Sequence, residues 1–469
     1  MKEKITFLKN SGIYFLGDFL SKLVTFFLLP IYSKYILPAD FGYFDLTTSY
    51  LMLLIPLVTA EIWIGMMRFI KEETNQNNIK NIISNSFYII ILNIILLAVS
   101  IIIYTIFDMH IKYFNLICTL GFLYVLQKFY IYLCRSISST TVFIVSGILN
   151  TITAATSNYI MIVYLKMGVT SLFIASILGL ILQIVIIEYH THFTKLFSFK
   201  YVNVKMLQKL LKFSYPIAFG SILYFFLMYY NKLILENQLG LASNGFFAIA
   251  SKFTIVIVFL TSAFTMAWQD LSFKMGEDKS NFKKYENAIT LYTKVILGGT
   301  GIIIMLLHFI FPIMIDQKYD ASYAIIPLSI VSVVLAAIGN FISQTLGALK
   351  KTNIIVLTSL ISTICNVLFI KYFIHKYGIN GVNVALIATF LINIIVRFCY
   401  LQFSLKIKIN FFLMPLLLLY LYLIIMVYNT RDTTYNVAGF ILAAIVFILL
   451  IKKDFLEIFK KVCNNVLIK

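Results

Sequence analysis

Charge is what this sequence has least of. Charged residues make up 12% of the chain, about half the share usual in soluble domains. No polar stretch is long enough to fold alone, which excludes an ordinary soluble enzyme. Acidic residues are the scarcer sign, with 19 Asp and Glu against 38 Lys and Arg. Catalytic signatures are missing as well. His110, His190, His192, His308 and His375 show no HExxH or other zinc spacing, and there is no Walker A sequence, dinucleotide fingerprint or nucleophile elbow. Cys118, Cys134, Cys365, Cys399 and Cys463 are scattered without paired spacing, which argues against a disulfide or metal role. No catalytic residue, cofactor or metal site is therefore expected, and the chain is not expected to be an enzyme.

What fills the chain is apolar, 61% of its residues. Runs of about twenty apolar residues recur, each long enough to cross a bilayer as a helix. Fourteen are expected: 12–32, 43–65, 83–106, 113–134, 141–164, 169–188, 213–235, 244–268, 288–311, 322–346, 352–373, 380–403, 411–429 and 435–451. Continuous runs do not fit a transmembrane β-barrel, whose segments are short and alternating. The first run carries Asp18 and Lys22 and no small-residue cleavage site, so it reads as a retained helix and not a signal peptide.

With the amino terminus in the cytoplasm, most Lys and Arg of the connecting segments fall on the inner side. The positive-inside rule then places both termini in the cytoplasm. The stretch 189–212 holds Lys195, Lys200, Lys205, Lys209 and Lys212, and 269–287 holds Lys274, Lys279, Lys283 and Lys284. Such clusters set topology and attract anionic membrane lipids; no nucleic-acid partner is expected.

The chain also carries an internal repeat. Ala39-Asp40-Phe41-Gly42-Tyr43-Phe44-Asp45-Leu46 matches Ala242-Ser243-Asn244-Gly245-Phe246-Phe247-Ala248-Ile249, and the same offset pairs Gly17 with Gly220. Farther on, Lys166-Met167-Gly168-Val169 matches Lys376-Tyr377-Gly378-Ile379. Six spans separate the copies, so the repeat is parallel. The expected organisation is an amino-terminal lobe over 1–188, a basic linker over 189–212, a carboxy-terminal lobe over 213–403, and an appended hairpin with a tail over 404–469. Trp63 and Trp268 fall at matching span ends, where interfacial indoles are expected. A duplicated bundle suits alternating access about a central cavity, which an enzyme does not need.

Ionisable residues inside spans are the best functional candidates, because Lys or Asp at the bilayer centre costs roughly 2.5 to 3.5 kcal/mol. Lys22, Lys232 and Lys252 read as a cationic cavity for an anionic substrate. Each also has a plain reading: Lys22 pairs with Asp18, Lys232 snorkels or pairs with Glu236, and Lys252 makes a structural contact. Asp18, Asp45 and Glu61 are candidates for coupling to sodium or protons, or else for balancing charge. Lys128, Lys294 and Arg397 lie near the inner ends of their spans, where snorkelling explains them. Pro56 and Pro327 are expected to kink their helices.

The stretch Ser21-Lys22-Leu23 through Phe27-Leu28-Leu29-Pro30-Ile31-Tyr32, with Leu37-Pro38-Ala39-Asp40-Phe41-Gly42-Tyr43-Phe44-Asp45-Leu46, resembles the amino-terminal signature of polysaccharide-biosynthesis flippases. Those belong to the multidrug/oligosaccharidyl-lipid/polysaccharide exporter superfamily. Gly378-Ile379-Asn380-Gly381 is also typical. The resemblance implies a V-shaped two-lobe fold in a bacterial cytoplasmic membrane. It also implies translocation of undecaprenyl-pyrophosphate-linked oligosaccharide, with polysaccharide assembly proteins as partners and cavity cations on spans 1, 7 and 8. A sodium- or proton-coupled drug or metabolite exporter is the alternative within this architecture. A membrane polymerase or glycosyltransferase and a non-transporting scaffold are the alternatives outside it.

Overall fold

A computed structural model of the chain describes residues 23–106, 111–137, 140–407 and 413–467. Asp18, Lys22 and His110 lie outside the described residues. Among the described residues every regular element is helical. Ten of the described helices are long and apolar enough to cross a membrane, and Leu23–Tyr35 and Leu413–Asn429 are shorter apolar helices. In hydrocarbon each backbone amide must find its partner within the protein, which a helix does internally. The chain is an all-α, multi-pass membrane protein.

It divides into two compact units, Met1–Leu233 and Ile234–Lys469. In the first, Pro38 opens the helix Pro38–Thr59 after an extended Leu37, as a proline in the first turn requires. Pro56 lies inside this helix, which stops at Ala60 and Glu61, both left-handed with φ 49° and 51°. A new helix, Ile62–Glu72, starts directly after them. Span 2 is thus two rods and not one kinked rod.

The stretch 189–212 is more than a basic connection. Thr170–Thr191 runs into it, Phe193–Leu196 and Phe199–Tyr201 are short helical turns, and Val204 begins a helix that continues well past Lys212. Two polar residues of the helix Gln76–Ile106 hold it. Ser84 Oγ accepts from the Ser198 amide at 3.1 Å; Asn85 donates to the Tyr201 carbonyl at 2.8 Å and accepts from the Asn203 amide at 2.9 Å. Phe193 is buried against Phe87 and Phe129, with centroids 4.6 and 5.2 Å away.

Small residues let neighbouring helices approach closely. A Cβ on Gly179 would run into the side chain and carbonyl of Asn150, so Thr170–Thr191 lies tight against Thr140–Tyr159. Gln183 Oε1 accepts from Asn150 across this contact at 2.9 Å and from Gln127 of a third helix, Phe114–Ile137, at 2.6 Å. Buried amides that satisfy one another in this way hold helices together where lipid offers no hydrophobic drive.

The second unit is built around Ile326–Ala348, most of which is buried. Pro327 sits in the first turn of that helix, where it has no helical bond to break. The kink expected there is instead a helix start. The hairpin of Leu413–Asn429 and Thr433–Leu467 packs on Phe282–Met314. Tyr420 reaches over Gly301 to donate to the Gly298 carbonyl at 3.3 Å.

Matching segments of the repeat share one backbone feature. Gly168 and Gly378 have φ 58° and 57°, and nothing lies within 4 Å of where a Cβ would stand on either. Each glycine is there for its backbone angle, turning the chain into Thr170–Thr191 and Asn380–Cys399 respectively.

Candidate functional site

Among the sequence candidates the structure joins two directly. Lys232, on the helix Val204–Phe253, places Nζ 2.7 Å from Oδ2 of Asp45 on Pro38–Thr59. Both side chains are only 15% exposed. The partner is therefore a residue far off in sequence and not Glu236 one turn away. Ser49, which the sequence did not single out, accepts from Lys232 Nζ at 3.1 Å and donates to the carbonyl of Asp45 at 2.7 Å. Asp45 and Ser49 are one turn apart, so they face the same way. The Tyr229 ring lies 5.4 Å from the ammonium, close enough for its negative face to favour the charge. Two acceptors and an aromatic face thus hold one ammonium in largely apolar surroundings. An anion could take the carboxylate's place there.

Glu61 stands apart from this pair in the same unit. Its carboxylate accepts from the indole of Trp63 and from Ser221, with the charge of Lys128 nearby. It follows the reversal at Ala60 and heads the helix Ile62–Glu72, so the positive end of that helix dipole also favours its charge. Lys128, half-buried on the helix Phe114–Ile137, adds a favourable positive charge near this carboxylate. Lys252 is half-buried in the second unit, near the end of its helical segment at Phe253.

Both tryptophans depart from expectation. Trp63 and Trp268 are buried, 1% and 6% exposed, and are not interfacial anchors. Their N–H groups find acceptors inside the protein, Glu61 for Trp63 and Thr345 Oγ1 at 3.0 Å for Trp268.

Arg397 is the largest correction. It does not snorkel; it is 4% exposed. Nη1 donates to the Gly339 carbonyl at 2.7 Å and to Ser343 at 2.6 Å, and Nε donates to Thr358 at 2.9 Å. No carboxylate pairs with it among the described residues. Asn393, one turn away, donates to Ser362 at 2.8 Å, and Asn383 donates to Ser329 at 2.9 Å. A polar seam therefore runs through the helices Ile326–Ala348, Thr352–Tyr377 and Asn380–Cys399. Its signal was present in the sequence as Thr358, Ser362 and Asn366 on successive turns, which meet Arg397, Asn393 and Thr389 respectively.

The fold is that of the multidrug/oligosaccharidyl-lipid/polysaccharide exporter superfamily. The lipid II flippase MurJ, in an inward closed conformation, is similar with a TM-score of 0.69 and 14% identity, over 95% of this chain and 100% of that one. An inward-facing multidrug resistance MATE family transporter is similar with a TM-score of 0.64 and 16% identity, over 82% and 94%. An outward-facing MATE family transporter has a TM-score of 0.53 and 15% identity, over 85% and 96%. A search of curated proteins gave no match. The family model for polysaccharide biosynthesis protein matches residues 7–269, more than half of the chain, and the chain belongs to that family.

Proposed function

We propose that this protein is a flippase, not an enzyme, and that it carries undecaprenyl-pyrophosphate-linked oligosaccharide from the inner to the outer leaflet of a bacterial cytoplasmic membrane. Both termini lie in the cytoplasm, the repeated halves 1–188 and 213–403 work by alternating access, and Lys22, Lys232 and Lys252 are the cationic groups that receive the cargo. The observation that carries the reading is Lys232, an ammonium kept inside the helical bundle with Asp45 as its counter-charge. Ionisable side chains within membrane-spanning helices are rare and costly, and such a residue marks a substrate or ion pathway by default. Membership of the polysaccharide biosynthesis family and likeness in fold to a lipid II flippase support the same reading.

A fluorescent lipid-linked oligosaccharide in proteoliposomes tests it. Lys232→Ala, and the Lys22→Ala, Lys252→Ala double variant, are expected to lose most of the translocation shown by the native chain. Full transport by the double variant overturns the cavity role. The likeness to MATE transporters supports a second reading, a sodium- or proton-coupled exporter of drugs or metabolites. That reading requires a transport rate set by Asp18, Asp45 or Glu61 and indifferent to the lysines.

A further inference from the structure

We infer that Asp45 is a resident anion that the cargo must displace from Lys232, and that returns to Lys232 when the cargo leaves. The inference rests on the reading of this site as one for a pyrophosphate-bearing substrate.

The argument starts from what each group is tied to. Asp45 holds Lys232 through its side chain alone, at 2.7 Å. A change of its χ1 rotamer releases the ammonium without moving the helix. Ser49 differs. Its hydroxyl is anchored to the backbone carbonyl of Asp45 at 2.7 Å while it accepts from Lys232 at 3.1 Å. The serine therefore keeps Nζ in place after the carboxylate swings away. A phosphate oxygen arriving at Nζ would find Asp45 in the seat it needs. Two anions sharing one ammonium in a weakly solvated site repel each other strongly. Exchange is favoured over addition.

The same pairing explains how the empty carrier resets. Without cargo, an unpaired ammonium would remain in the bundle, and a buried charge stripped of its partner is strongly destabilising. Asp45 closes that gap, so the unloaded site is neutral. Its presence is predicted to weaken cargo affinity, because binding must first break the internal pair. The residue trades affinity for turnover.

Binding of farnesyl pyrophosphate, a short isoprenoid pyrophosphate, to protein in nanodiscs made of neutral lipid tests this, with inorganic pyrophosphate run in parallel. Asp45→Asn is expected to bind farnesyl pyrophosphate about tenfold or more tighter than the native chain. Asp45→Ala, a second variant lacking the anion, should do the same. Ser49→Ala should bind more weakly, and Asp45→Asn combined with Lys232→Ala should bind least. Tightening confined to farnesyl pyrophosphate assigns the seat to a lipid-borne headgroup, whereas tightening with inorganic pyrophosphate as well assigns it to pyrophosphate itself. A merely structural pair would not yield tighter binding when broken. Native binding that is unchanged or weakened in both Asp45 variants overturns the inference and leaves the proposed substrate standing. No binding of either probe by the native chain or by any variant overturns both.

Discussion

Nη1 of Arg397 donates to the Gly339 carbonyl oxygen at 2.7 Å, inside the second unit. The guanidinium there bridges three helices, and hydroxyl and carbonyl oxygens take the place of a counter-ion. A planar fork meets several acceptors at fixed angles, which an ammonium cannot imitate. Arg397→Lys is therefore expected to lower the melting temperature of the detergent-solubilised protein nearly as much as Arg397→Met. Each acceptor left buried without a donor loses about 1 to 3 kcal/mol. A melting temperature unchanged in both variants would show that the seam does not hold the helices together.

The two left-handed glycines allow a matched pair of tests. Gly168→Ala and Gly378→Ala meet no neighbouring atom, so only the backbone penalty of about 1 to 2 kcal/mol applies. The two losses should be similar. Gly301→Ala is expected to be worse than either, because its Cβ would enter the ring of Tyr420 and push the hairpin off Phe282–Met314. Thermal unfolding monitored by circular dichroism ranks the three. A Gly301 variant as stable as the Gly168 variant contradicts the packing described.

Glu61 offers a distinction between side-chain shape and charge. Glu61→Ala leaves the indole N–H of Trp63 buried without its acceptor, a loss of about 1 to 3 kcal/mol. Glu61→Gln keeps an acceptor oxygen and should recover most of that stability. Melting curves of the two variants decide this, and equal losses would mean that the carboxylate charge, with the positive charge of Lys128 nearby, matters more than the hydrogen bond.

Acid should loosen the turn that follows the helix Ile62–Glu72. Glu73 accepts from the amides of Asn75 and Thr74 and from the side chain of Asn78, each at 3.1 Å. These bonds, the Asn75 amide first, hold its carboxyl below the usual range. A carboxyl depressed in the folded state contributes stability above its unfolded pKa of about 4.3, and that contribution is lost as pH falls through the lower folded value. Hydrogen exchange at Thr74 and Asn75, corrected for the intrinsic pH dependence, should show falling protection below about pH 4 in the native chain. In Glu73→Gln the protection should be low and flat across the range; an acid-dependent loss persisting in that variant would place its origin elsewhere.

The helices were legible because hydrocarbon demands long apolar runs, and the glycines before Thr170 and Asn380 were legible because their neighbours repeat. The chain's side-chain pairings were not. From sequence, Glu236 is the only ion-pair partner that local spacing offers Lys232 beside snorkelling; the observed partner, Asp45, comes near only through tertiary packing. Arg397 was placed at the interface by its nearness to a span end. Polar residues on three helices drew it inward, and only their turn-by-turn spacing announced them. The break after Thr59 went unread because Ala60 and Glu61 are not residues that announce a left-handed turn.

That break bears on how force passes along the second span. A continuous helix behaves as a stiff lever, and a twist applied at Asp45 would arrive at Trp63 nearly undiminished. Two rods meeting at a reversed joint transmit little torque. Little twist therefore passes along the second span itself, and the helix Val204–Phe253, which carries both Lys232 and Ser221, is the element that links the charge pair to Glu61.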